Sequence, residues 1–206
     1  MKASSVMLSP NLVSLLMDGF LLSTSPVQAP TLNRSPLLCP MVFSDAAMCP
    51  RTSWAEQQVW YLGALWSTSF GGRLIPIKYN QGSQQTAELL TLVCGARLAL
   101  RSGWGAFCLV GDNLASLYSM QSLSPFCHRW ETVRLLRSLF NLLWESGPVT
   151  MFVVWCPGAL VPADPLSRLS PLHPGTWARA MEAAQERADF LYSQMSVLGL
   201  VGSVLI

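Results

Sequence analysis

The chain has 206 residues, 51% of them hydrophobic and only 12% charged, against a charged share of roughly 25% in ordinary globular domains. That excludes a disordered, acidic or coiled-coil protein and points to one domain, or one domain with appendages. The 13 basic and 11 acidic residues nearly balance, so any nucleic-acid binding has to come from a local site rather than from bulk charge.

Residues 1–38 are rich in Ser, Pro and Leu, with Pro10, Pro26, Pro30 and Pro36 forbidding a long helix. They read as a loose lead-in or the end of a preceding domain. Lys2 and the apolar run behind it are interrupted by Ser4, Ser5, Pro10, Asn11, Ser14 and Asp18, which is not the uninterrupted core of a secretory signal. The run MVFSDA at residues 41–46 predicts a strand, with Met41, Phe43 and Asp45 on one face by the period of two. VWYLGALW (59–66) and RLIPIKY (73–79), separated by Ser69-Phe70-Gly71-Gly72, predict a hairpin whose second strand lies at an edge or bulge because of Pro76.

After Asn80-Gln81-Gly82-Ser83 the pattern turns helical over residues 84–101, with Glu88 in the first turn or two. Phe107–Val110 predicts a short buried strand running into Gly111-Asp112-Asn113, where another helix can begin. Residues 128–145 form an amphipathic helix, with Val133, Leu136, Phe140 and Leu143 on the apolar side and Arg129, Arg134 and Arg137 on the polar one. Thr150–Cys156 predicts a last buried strand, a Pro-rich loop carries Asp164, and residues 176–192 close with a helix. The uncharged tail Phe190–Ile206 falls short of the roughly 20 residues that span a bilayer and contains Ser193, Gln194, Ser196 and Ser203. Despite a mean hydropathy of +0.37, no stable membrane insertion is expected. The order β β β α β α α β α describes an α/β domain, a mixed sheet flanked by helices, over residues 39–170, with 171–206 a C-terminal helix and apolar tail.

The six cysteines (Cys39, Cys49, Cys94, Cys108, Cys127, Cys156) form no CxxC pair and no ligand-like grouping with His128 or His173. They read as small buried hydrophobes of a reducing, intracellular compartment, without resolving virion from host cytoplasm or nucleus.

Three acids, Asp45, Glu88 and Asp112, fall where strands end or helices begin, and Asp164 lies after the last strand. The ends of neighbouring strands in an α/β sheet converge on one crevice, so acids remote in sequence can meet there. Gathered carboxylates repel and raise one another's pKa unless cations neutralise them, and hard oxygen ligands suit Mg²⁺ or Mn²⁺. Each acid also has an ordinary structural role open to it. Asp112 and Asp164 are placed to cap helices, Asp164 with Pro165 at the first helical position, and Glu88 suits the positive end of a helix dipole.

Local strings add to this. LLCPMVFSDA (37–46), TAELL (86–90), VGDN (110–113) and CPGALVPADPLSR (156–168) together resemble, in this order, the ribonuclease H domain of reverse-transcribing viruses and retroelements, above all that of hepadnavirus-like polymerases. The resemblance covers roughly residues 36–170. It implies a ribonuclease H-like fold and a two-metal endonuclease that cuts the RNA strand of an RNA:DNA hybrid. By the same resemblance Asp45, Glu88, Asp112 and Asp164 would be catalytic and hold two Mg²⁺ or Mn²⁺ ions, Asp45 bridging both, Glu88 and Asp112 on one and Asp164 on the other. Two places depart from the family pattern: Val161 stands where an Asn is usual, and the final loop has no His. No YxDD polymerase signature occurs, and with the resemblance this implies a detached nuclease module, a C-terminal piece or a reading frame left from a larger reverse-transcriptase polyprotein, whose polymerase portion is then expected as a partner. Arg97, Arg101, Arg129, Arg134 and Arg137 are candidates to touch hybrid phosphates, because A-form-like duplexes are read through their backbone and 2′-hydroxyls; solvated helix faces are the plainer role for them. A catalytically inactive remnant that keeps the fold as a binding or assembly module is the competing reading.

Overall fold

The computed structural model describes residues 39–49, 59–78, 83–125, 130–169 and 175–197. The lead-in 1–38, Arg129, Cys127, His128 and His173, and the end of the tail lie outside the described residues. Among the described residues five strands form one sheet: β1 (Met41–Met48), β2 (Tyr61–Ser67), β3 (Gly71–Ile77), β4 (Ala106–Gly111) and β5 (Thr150–Trp155). Their order across the sheet is β3-β2-β1-β4-β5, antiparallel between β1, β2 and β3 and parallel between β1, β4 and β5. The mixed sheet flanked by helices is the architecture expected from the sequence. Pro76 sits on β3, an edge strand, where its missing N–H breaks no interior ladder.

The helices are α1 (Gln84–Arg101), α2 (Leu114–Ser122), α3 (Trp130–Ser146), α4 (Asp164–Ser167) and α5 (Thr176–Val197). On one face of the sheet α1, α2 and α3 pack over Val42, Leu65, Phe107 and Leu109 with Leu89, Leu92, Leu117 and Leu139. On the other, α4 and α5 cover Met41, Phe43, Trp66 and Val110 with Leu166, Ala180, Ala184 and Ala188. Burying each large core side chain contributes about 1.5–3 kcal/mol, and the tilted Phe43–Trp66 ring pair, 6.0 Å apart, adds about 1 kcal/mol.

Two glycines set how closely α1 lies on the sheet. A Cβ at Gly63 of β2 would collide with the Thr91 hydroxyl, and one at Gly95 would stand 3.2 Å from Val42 Cγ1 and 3.3 Å from Leu65 Cδ2. This close seat holds α1 low, and with it Glu88. Ser83 caps the helix, its hydroxyl accepting from the Thr86 amide at 3.3 Å.

Three sequence expectations change in detail. The hairpin's second strand begins two residues early, at Gly71, whose φ of +69° turns the chain. The loop around Asp164 contains a short helix, α4, started by Pro165 within its first turn. Val133 and Phe140 of α3 face solvent instead of the core, whereas Thr132, Leu136, Leu139 and Leu143 face inward. The buried stripe is rotated because α3 packs against α1, and Leu136, Leu139 and Leu143 turn into the core that the two helices share.

A candidate carboxylate site at the end of the β1–β4 ladder

Parallel pairing of β1 with β4 runs only from Met41↔Cys108 to Phe43↔Val110. Beyond it β1 continues against β2 alone, with Asp45 opposite Ala64. The sheet is open on that side of Asp45. The alternation that places Met41 and Phe43 toward α5 carries Asp45 the same way, and the Ser167 hydroxyl of α4 donates to its Oδ2. Glu88 belongs to α1, on the other layer. The two acids therefore come from opposite faces of the sheet and interact where the ladder stops, not on one face as strand ends alone would place them.

Glu88 is buried in the second turn of α1 and no acid occupies the first, so the helix dipole does not explain it. The Gln84 amide donates to Glu88 Oε1 at 3.2 Å and to the Ala46 carbonyl at 3.4 Å, fixing α1 against β1 beside Asp45. Asp112 follows β4 and is free of capping duty: Asn113 caps α2, its Oδ1 accepting from the Ser116 amide at 3.0 Å. The Trp155 indole donates to the Asp112 carbonyl at 3.0 Å. A Cβ at Gly158 would collide with the Asp112 carboxylate, so the backbone of that turn passes directly beside it.

Asp164 is the first residue of α4, preceded by Ala163 at the cap position, and so is not the helix cap. Its carboxylate takes Arg168 Nε at 2.6 Å and Arg187 Nη1 at 3.0 Å. Arg187 reaches it from α5 and also donates to the Val161 carbonyl at 3.0 Å. Val161, where the family pattern has Asn, is fully buried.

The four carboxylates form one electrostatic neighbourhood. Asp45 is repelled by Glu88, Asp112 and Asp164, and Asp112 by Asp164. Burial, reinforced by these neighbours, pushes Asp45 up to about 6 and Glu88 up to about 8. Asp112 is raised too, chiefly by burial. Among the described residues no group of three or more His, Cys, Asp or Glu side chains is drawn together closely enough to hold a metal ion. The physical reason lies in the contacts: like charges spread, Ser167 ties Asp45, and Asp164 is held by Arg168 of its own turn and by Arg187 of α5.

Of the arginines predicted to meet nucleic acid, the four that are described are not at this site. Arg97, Arg134 and Arg137 line a groove between α1 and α3, and Arg101 is exposed at the end of α1. Arg168 and Arg187, which do belong to the carboxylate site, went unnoticed in the sequence. For Arg187 the signal was the stripe Ala180, Ala184, Ala188, which turns the neighbouring residue 187 partly inward. Cys49, Cys94, Cys108 and Cys156 are free thiols, and among the described residues no helix is long and apolar enough to cross a membrane.

No protein-family model matches the chain, and no curated protein matches it. Among solved structures it is similar to the N-terminal RNase H domain of rv2228c from Mycobacterium tuberculosis, determined as a fusion with maltose-binding protein. That match has 16% identity and a TM-score of 0.47, covering 72% of this chain and 97% of that one. It is also similar to RNase H1 from the halophilic archaeon Halobacterium salinarum NRC-1, at 15% identity and a TM-score of 0.41, covering 57% of this chain and 85% of that one.

Proposed function

We propose that the chain is a ribonuclease H-type nuclease that cuts the RNA strand of RNA:DNA hybrids, a module of a reverse-transcriptase polyprotein of hepadnavirus-like or other retroelement origin. The single observation that carries this reading is the mutual repulsion of Asp45, Glu88 and Asp112, two of them buried, with no basic side chain in ion-pair contact with any of the three among the described residues. Arg168 attracts Asp45 and Asp112 without an ion pair to either, and a buried carboxylate so weakly compensated is costly or holds a proton. Oxygen donors alone suit Mg²⁺ or Mn²⁺, but Asp45, Glu88, Asp112 and Asp164 stand too far apart here to ligate an ion, so two ions would have to draw them together to be held by them. Such ions, when bound, polarise the phosphodiester and lower the pKa of a bound water.

The chain's own residues have separate tasks. Gln84 orients Glu88 through its side-chain amide, and Ser167 orients Asp45. Glu88, pushed up to about 8, keeps a proton on its carboxyl at neutral pH in metal-free protein and has to release it to act as a ligand. Arg168 and Arg187 hold Asp164 at the rim. The arginine clamp also favours the second reading, an inactive remnant kept as a binding or assembly module, because Asp164 is already neutralised by the protein. Cleavage of a labelled RNA:DNA hybrid by the purified chain separates the two. Cleavage that needs Mg²⁺ or Mn²⁺ and disappears in Asp45→Asn supports the nuclease, and a folded chain that leaves the hybrid intact with either ion supports the remnant.

A further inference from the structure

Helix α3 has two apolar sides. One faces the core through Leu136, Leu139 and Leu143; the other carries Trp130, Val133, Phe140 and Trp144 in solvent, with Trp130 70% and Trp144 61% exposed. Steps of three and four residues return to the same side of a helix, so these four form one ridge, with exposed Arg137 in its line. The Phe140 and Trp144 rings lie 6.2 Å apart and only 25° from parallel, a two-ring platform. An apolar ridge of this size left in water marks a surface that meets something.

Beside the ridge, on the side turned to α1, is a groove of about 360 Å³ lined by Arg97, Arg134, Arg137, Ser138, Asn141 and Glu145 among others. Arg97 Nη2 donates to Ser138 Oγ at 3.2 Å. Among the described residues none of the three arginines stands in an ion pair, so a single glutamate faces three cations. Cations in a track and aromatic rings alongside it are the two halves of a single-strand binding surface, one for phosphates and one for bases.

We propose that this surface binds single-stranded nucleic acid, phosphates in the α1–α3 groove and bases stacked on the Phe140–Trp144 ridge. A duplex fits less well, because its bases are already stacked and offer the rings no face. An anionic lipid surface would meet the same ridge and arginines, and binding to anionic vesicles with no affinity for single strands overturns the proposal. The surface is apart from the carboxylates: Arg97 follows Glu88 by nine residues on α1, about 13 Å along the axis and half a turn round it. The proposal does not rest on the nuclease reading.

The test is fluorescence anisotropy of the full chain in chelator, with labelled oligo(dT), oligo(U) and a DNA:DNA duplex, each about 20 nucleotides long to span a typical site. Both single strands are expected to bind about tenfold or more tightly than the duplex, oligo(dT) and oligo(U) showing whether the sugar matters. Phe140→Ala with Trp144→Ala should weaken single-strand binding about tenfold without changing its salt dependence. Arg134→Gln with Arg137→Gln should weaken it and flatten the slope of log affinity against log salt by about 1.4, two phosphate contacts' worth. All four side chains are exposed, and unchanged melting temperatures verify that the variants fold. Single-strand affinity unmoved in either double variant, or a duplex bound as tightly as the single strands, overturns the proposal. So does sedimentation showing that the ridge is covered by a second copy, released to monomer by Trp144→Ala.

Discussion

Asp45 and Glu88 lie deep, repel each other and have no arginine or lysine in ion-pair contact among the described residues, whereas Asp164, in the same electrostatic neighbourhood, is gripped by Arg168 and Arg187. One residue type thus serves two electrostatic regimes a short distance apart. An ordinary structural acid looks like Asp164: partly exposed, paired, its charge balanced by the chain. Asp45 and Glu88 have the opposite character: burial without an ion pair makes them hold protons well above the usual carboxylate range, and protons that a cation could displace make the inner half of the cluster a candidate cation site. The difference also divides the labour, with the inner pair waiting for charge from outside and the outer acid already anchored to α5.

The strongest way to break this comparison is Asp45→Asn, which keeps size and removes charge. Hybrid cleavage should fall by about a thousandfold or more, the scale of losing a group that acts only in the transition state. Stability in chelator should stay equal or rise, because one member of a repelling set is gone. A structural Asp45 would instead cost about 1–3 kcal/mol when its hydrogen bonding is impaired, with cleavage retained. Cleavage assays beside thermal melts in chelator read both quantities.

A pH series sharpens it. Burial raises Asp45 to about 6 and Glu88 to about 8 from ordinary values of 3.8 and 4.5. Between the ordinary and raised values the folded chain holds more protons than the unfolded one, so stability falls as pH rises. As far as these two groups are concerned, metal-free protein should be most stable below about pH 4 and should lose stability progressively up to about pH 8. Denaturant melts in chelator across that range check the slope, and Glu88→Gln should remove most of the upper part.

Smaller effects come from the outer half. Arg187→Gln removes the partly buried guanidinium that joins α5 to Asp164 and the Val161 carbonyl, and should lower stability by about 1 kcal/mol. Arg168 is 68% exposed, so Arg168→Gln should change stability by no more than about 0.5 kcal/mol. Equal losses from the two would mean that α5 is not the anchor. Urea midpoints measured for both variants decide it.

How much of this was legible beforehand follows from the range of the forces involved. α1 begins and ends where its pattern and the polar break before Gln84 place it, because propensity, capping by Ser83 and the apolar period all agree. The strand carrying Asp45 and the hairpin behind it were readable for the same reason. The rotation of α3, which puts Val133 and Phe140 in water, was not: both flanks of that helix are apolar, and only packing against α1 selects the inner one. The arginine clamp on Asp164 was hidden because Arg187 stands 23 residues away in another element. The meeting of Asp45 and Glu88 across the open end of the β1–β4 ladder depends on where that ladder stops, a feature of register and not of composition.

The most direct test of the inner pair as a cation site is the melting temperature at pH 8 with chelator and with Mg²⁺, for the native chain and for Asp45→Asn. A ligand that binds only the folded state raises its stability by mass action, so Mg²⁺ should raise the native chain's melting temperature by several degrees and leave Asp45→Asn almost unmoved. A native chain indifferent to Mg²⁺ and to Mn²⁺, or a variant that responds as strongly as the native chain, would contradict the account.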